Sequence, residues 1–340
     1  VFNSLDVVMF LNRFPQTYMP LLWPLGRSPP LPFYNAVVWV LYASQVSLYL
    51  ATLAFAAGAV YGAAGDVAMH LRLMVSGLYL FYFSVMYIQL PGFINAAPSR
   101  PISALLLAAL VLGLVLLPVA KWSLLPFALT YALLHLRALR GAPNYYPNWI
   151  LVSGLVATAA AGSPLELAVA FPLASVLMLS YRIDSSRARL KFTAPRAAAV
   201  AASYLAAFAM VKMGLLWGVA LPLAAVSLAA PPRVRDLYGV GAAAWRLLMA
   251  GAALHHHLLY MGFAVVMSTL CVPFFLPAVL YRRAPRFGPV PFLFASTATA
   301  LRLLGLLTPA ALAVLGLLLY VAAAALAQEK VPLLPPEDKH

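Results

Sequence analysis

A single cysteine, Cys271, stands among the 340 residues of this chain, so no disulfide framework and no cysteine-based metal site can be built. Charge is scarce too: Asp and Glu number 8, and charged residues together make up 9%. Soluble globular domains do not combine so little charge with 64% hydrophobic residues and a mean hydropathy of +0.93. That make-up belongs to a polytopic membrane protein, whose first partner is the lipid bilayer. Also missing is any basic patch with interleaved aromatics, so the net charge of +14 does not point to nucleic acid. The arginines fall between apolar runs, the pattern of loops that face an anionic leaflet. No cleavable signal peptide is evident, and the first span would itself direct insertion.

Residues 1–32 carry Pro15, Pro20, Pro24, Pro29, Pro30 and Pro32, which forbid one uninterrupted spanning helix. With Tyr18 and Trp23 among apolar neighbours, this stretch is expected to lie at the membrane interface. Residues 33–328 form the membrane domain, and 329–340 a cytoplasmic tail. Twelve apolar spans are expected at 33–62, 68–94, 102–119, 122–139, 148–162, 164–181, 196–212, 214–230, 236–251, 253–281, 289–306 and 309–327. Most of the 22 Lys and Arg lie in the termini and in the loops after even-numbered spans, among them Arg100, Arg137, Arg140, Arg182, Arg187, Arg233 and Arg235. By the positive-inside rule both termini are cytoplasmic, in a multi-pass protein of the cell membrane. A weak repeat supports the count. His70, Glu166 and His255 each precede an Ala-Pro, at Pro98, Pro195 and Pro285, by nearly the same distance. The repeats share orientation, which implies three four-helix units.

The stretch Ala253–Arg283 organises the rest, with His255, His256 and His257 at one end of an apolar run. Imidazole in hydrocarbon is costly without a partner, so intramembrane histidines are functional candidates. The topology puts His70 and the triplet at the outer side, together with Arg72, Arg246 and Arg302, and leaves His135 near the inner end of span four. Read as helix, at about 100° per residue, the stretch sends His255 and His257 to nearly opposite faces, so that it could serve two sites. Neutral imidazoles from two helices can clamp a haem iron. The haem's carboxylates would then call for guanidinium partners, a role open to Arg72, Arg246 and Arg302.

Plainer readings stand beside these. His135 is isolated and fits a hydrogen-bonded packing role. Arg246 and Arg302 could snorkel to the interface. Met69, Met74, Met261 and Met267 invite a copper reading, yet methionine is common in apolar helices. The run R-I-D-S-S-R-A-R-L-K at 182–191 reads as a solvated cytoplasmic loop in which Asp184 neutralises a neighbouring arginine.

Several of these residues resemble a known family. His70, in M-H-L-R-L-M-V-S-G with Met74 four residues on, looks like the second span of the catalytic subunit of haem-copper oxidases. The run H-H-H-L-L-Y-M-G-F-A-V-V-M is similar to that family's tenth span. The resemblance implies a twelve-helix bundle in three arcs, with His70 and His257 sharing a low-spin haem and His255 facing a second one. His256 is the substitute for His255, and Arg302 sits near where the family places its arginines. The family's copper ligands are histidines on spans six and seven, and 164–212 contains none. No oxygen-reducing copper–haem centre is therefore expected, and copper is left without a ligand cluster. A nearer likeness is to the NnrS branch, carried by H-L-R-L-M-V-S-G at 70–77, A-L-R-L-L at 300–304 and V-P-L-L-P-P at 331–336.

The sequence thus reads as an all-α integral membrane protein that holds one or two b-type haems. The chemistry is electron transfer, with a redox partner protein, or the handling of a small gas such as nitric oxide. If it is an enzyme, it is a haem-dependent oxidoreductase. Two other classes remain in view: a secondary transporter or channel using intramembrane His and Arg, and a structural or assembly subunit.

Overall fold

The structure, a computed structural model, describes residues 31–94, 100–136, 146–269, 271, 276, 280, 282 and 288–329. The proposed interfacial segment 1–32 falls almost wholly outside these residues, as does the tail beyond 329. Among the described residues the regular structure is helical. In chain order the helices are α1 Leu31–Ala63, α2 Val67–Ile94, α3 Arg100–Leu116, α4 Leu125–Leu136, α5 Asn148–Ala160, α6 Pro164–Val169 and α7 Phe171–Ala188. They continue with α8 Ala194–Lys212, α9 Ala220–Ala229, α10 Leu237–Ala250, α11 His257–Val266, α12 Val290–Leu303 and α13 Leu307–Leu326.

Segments rich in Leu, Ala and Met favour helix in any solvent, and in lipid the helix is obligatory because each peptide group must find a partner within the segment. The ends are set by local chemistry. Gly65, Gly214 and Gly305 take positive φ of 85°, 82° and 78° and close the tight α1–α2, α8–α9 and α12–α13 hairpins. Ser163 caps α6 by accepting the Glu166 amide, and Asp236 caps α10 by accepting the Gly239 amide at 2.9 Å.

Among the described residues, five helical stretches are long and apolar enough to cross a membrane: 42–63, 67–86, 164–188, 194–212 and 307–326. Seven shorter apolar helices lie between them. This is a multi-pass helical membrane protein. At 1.5 Å per residue the 33 residues of α1 extend about 50 Å, whereas the 12 of α4 extend about 18 Å.

Neighbour relations trace a closed ring. α1 packs on α3, and the order runs on through α4, α5, α8, α9, α10, α11, α12 and α13 back to α1. Inside it stand α2 and the α6–α7 pair, in contact with each other. Burial agrees: α7 is covered almost throughout, α2 over much of its length, and α13 turns most of its surface outward. The centre is aromatic. Tyr79, Phe83, Phe127, Tyr131 and Phe171 interlock, with Phe83–Phe127 and Phe127–Phe171 centroids 5.7 and 5.8 Å apart. Side-chain hydroxyls pin helix to helix, Ser47 donating to the Leu80 carbonyl and Ser84 to the Ser44 carbonyl, both at 2.7 Å.

The helical stretch 164–188 is broken. α6 stops at Val169 and α7 starts at Phe171, because Pro172 has no amide to donate and its ring crowds the preceding turn. The exposed peptide groups find partners from other helices. The Tyr204 hydroxyl lies 3.1 and 3.0 Å from the Val169 and Ala170 carbonyl oxygens. The Phe171 amide donates to the Thr158 hydroxyl oxygen, which also meets the Tyr79 hydroxyl at 3.0 Å.

The fold corrects the reading of 182–191 as a solvated loop. Helix α7 runs on to Ala188, where Arg189 ends it in the left-handed region at φ 56°. Asp184 is fully buried and pairs with Arg246 of α10 at 2.7 Å. The Tyr238 hydroxyl donates to its other oxygen at 3.1 Å. A buried carboxylate is tolerable only with such partners.

Candidate functional site

Between α1, α2, α11, α12 and α13 lies a cavity of about 450 Å³. Its walls are mostly apolar, with Phe55, Met74, Phe81, Phe263 and Met267 among the lining residues. Its polar groups include His70, His256, His257 and Arg302. Residues from helices far apart in the chain thus meet around one space.

His70 sits in the first turn of α2, against α1. Its Nδ1 lies 2.8 Å from the Gly58 carbonyl oxygen, to which it donates, since the oxygen can only accept. The lone pair of the neutral ring is then on Nε2. The approach depends on two glycines one helical turn apart. A Cβ on Gly62 would fall 2.7 Å from His70 Nδ1, and one on Gly58 would fall 3.0 Å from Met74 Sδ. Gly58 and Gly62 form a G-x-x-x-G pair that lets α1 and α2 approach closely. The pair could have been read from the sequence and went unnoticed there.

The triplet departs from its expected geometry. The chain between α10 and α11 turns through a short 3₁₀ segment, Gly251–Ala253, and helix resumes only at His257. Helical angles therefore do not apply, and the three rings converge instead of facing opposite ways. Their centroids lie 5.2 Å (His255–His256), 5.2 Å (His255–His257) and 4.3 Å (His256–His257) apart. His257 is half-buried and its Nε2 accepts from Arg302 Nη2 at 2.7 Å. His256 lines the cavity while His255 does not. His256 lies in the turn before α11. Burial, then the neighbouring His255 and Arg302, push it below the ordinary histidine value, so it is neutral at pH 7.

Of the three arginines grouped with the histidines, Arg302 lines the cavity. Arg246 is turned away from it, held by Asp184 and donating through Nη1 to the Ala242 carbonyl oxygen at 3.0 Å. Its guanidinium also rests on the Trp245 ring at 4.8 Å. Sequence reasoning placed Arg246 by depth, and the buried carboxylate of Asp184 decides its direction instead. Arg72 is half-buried and does not line the cavity; it donates to the Val115 carbonyl oxygen of α3 at 3.1 Å. Met74, Met261 and Met267 line the cavity, and Met69 does not. The side chain of His135 lies outside the described residues.

Chemically, the site offers an apolar cavity, one imidazole of fixed orientation, two further imidazoles in its lining and a cation beside one of them. No protein-family model matches the chain, no curated protein is significantly similar to it, and no solved structure shares its fold at a significant level.

Proposed function

We propose that this chain is a membrane haem protein of the haem-copper oxidase and NnrS type, acting in electron transfer or in the handling of nitric oxide or a similar diatomic gas. The observation that carries the reading is the meeting of His70, His257 and Arg302 around one apolar cavity. The residues fit a b-type haem. His70 is oriented by its donation to Gly58 O, which leaves Nε2 as the ligating atom, as backbone-anchored histidines commonly do at metal centres. His257 is the second axial candidate once its Nε2 is released from Arg302, whose guanidinium then suits a carboxylate. The aromatic and Met side chains of the walls keep water from a flat apolar ring. When bound, the haem supplies one-electron chemistry or a coordination site for a gas.

In this proposal the chain has twelve crossings in three arcs, its termini cytoplasmic, in the cell membrane. The second haem implied for His255 loses its geometric basis, because His255 does not line the cavity. Arg72 and Arg246 leave the haem-binding set for the reasons given above.

A transporter or channel is the second reading, and the break between α6 and α7 favours it, since discontinuous helices are a feature of transporter binding sites. The carbonyl oxygens of Val169 and Ala170 at that break already face the Tyr204 hydroxyl, so they are poorly disposed to hold an ion.

Titration of haemin into the purified, detergent-solubilised protein tests the proposal. A saturating Soret shift at one haem per chain, lost in His70→Ala and weakened in Arg302→Ala, is expected. Saturation that is indifferent to both substitutions would show that haem, if taken up, goes elsewhere.

A further inference from the structure

We infer that His255, His256 and His257 hold an exchangeable divalent transition-metal ion, of the Zn2+ or Cu2+ class, at the exposed end of the cavity. The inference goes beyond haem binding and does not depend on it. The three imidazoles offer ligand nitrogens that all lie within 4.8 Å of one another. A Zn–N bond is about 2.0–2.1 Å, so small ring rotations bring the three onto one ion. His255 and His256 are exposed and His257 half-buried, which leaves the ion open to solvent on one side and able to exchange.

The surroundings select the metal. No carboxylate belongs to the cluster, and Arg302 together with the N-terminus of α11 places positive charge beside it. Hard cations that rely on charge and oxygen ligands are therefore excluded, whereas imidazole suits zinc, copper and nickel. Two present contacts must yield. The His255 Nδ1 faces the His257 amide at 3.3 Å, a long hydrogen bond that a metal–nitrogen bond outweighs. The second contact matters more. A neutral imidazole has one lone pair, and that of His257 now accepts from Arg302 at 2.7 Å. Metal ligation and the Arg302 contact thus compete for the same electrons, and the ion frees the guanidinium. If the haem proposal also holds, the ion and the haem compete for His257.

The test is calorimetric titration of ZnCl2 into the detergent-solubilised full chain, free of haem and with any affinity tag removed. One saturable site is expected, absent with MgCl2 or CaCl2. His255→Ala and His256→Ala, both in an exposed turn, should each weaken it at least about tenfold, with unchanged melting temperatures. Arg302→Gln should tighten it several-fold by removing the competitor and its charge. CuCl2 bound to the wild type should give an electron paramagnetic resonance spectrum with nitrogen hyperfine structure. The inference is overturned by the lack of a saturable site or by equal binding of Mg2+. It is equally overturned by wild-type affinity in both histidine variants, or by Arg302→Gln binding no more tightly.

Discussion

At the scale of single residues, the site depends on space as much as on ligands. Gly62 faces His70 so closely that a methyl group there would sit 2.7 Å from Nδ1. Gly62→Ala is therefore expected to tilt the imidazole off the Gly58 carbonyl and to weaken haem binding ~10–100-fold, the cost typical of losing a partner that orients a ligand. Gly58→Ala, which meets the flexible Met74 side chain at 3.0 Å and the Leu73 Cβ at 3.3 Å but not the imidazole, should cost less. Haemin titration of the two variants checks the order, and equal affinities would contradict it. Asp184 offers a second test. Removing it leaves Arg246 buried without its counter-charge, so Asp184→Ala should lower stability by ~3–5 kcal/mol. An Asp184→Leu, Arg246→Met pair should recover most of that loss in thermal or denaturant unfolding in detergent. A single substitution without effect would mean that the pair is not buried in the folded protein.

At the scale of elements, the break between α6 and α7 exchanges helical hydrogen bonds for side-chain ones. The Tyr204 hydroxyl of α8 is shared between two carbonyl oxygens, and that of Ala170 also accepts from the Ala174 amide at 3.2 Å, so Tyr204→Phe should cost ~1–3 kcal/mol chiefly by taking the hydroxyl from the Val169 oxygen. An unchanged unfolding midpoint would count against that account. This scale also shows how far the sequence could be read. Apolar runs gave the helices, and the gap at 63–67 held the Gly65 turn, whereas Gly214 and Gly305, expected within spans 214–230 and 289–306, belong to the turns that end α8 and α12. Hydrophobicity could not reveal that the tenth run begins as a turn, because Leu254 and the histidines that follow are compatible with helix. Nor could it show that 182–188 is helical and packed, since its polar composition imitates a loop until Arg246 and Tyr238 are brought against Asp184. For the site, His70, His256, His257 and Arg302 were legible as polar residues in apolar runs. The direction of Arg246 was not, because it depends on a partner distant in sequence.

At the scale of the whole molecule, a ring of helices encloses α2 and α7, and the cavity opens between the central α2 and the ring members α1, α11, α12 and α13. In the proposed topology the charge bias sets how that bundle sits in the membrane. Cys271 is buried, so the native chain gives a silent background for thiol labelling. Val119→Cys, in the exposed turn after α3, should react with a membrane-impermeant maleimide from outside. Val234→Cys, in the exposed turn before α10, should react only after the cells are opened. The reverse pattern would invert the topology and place the histidine cluster on the cytoplasmic side.

The central claim is that the second crossing and the α11 crossing share an iron porphyrin, and the visible spectrum of the protein as purified from haem-supplied cells tests it most directly. The account predicts a Soret band with sharpened α and β bands on reduction, at one haem per chain, abolished in His70→Ala and converted in His257→Ala to the spectrum of a haem with a single histidine ligand. A colourless protein that retains its helical content and its unfolding midpoint would contradict it.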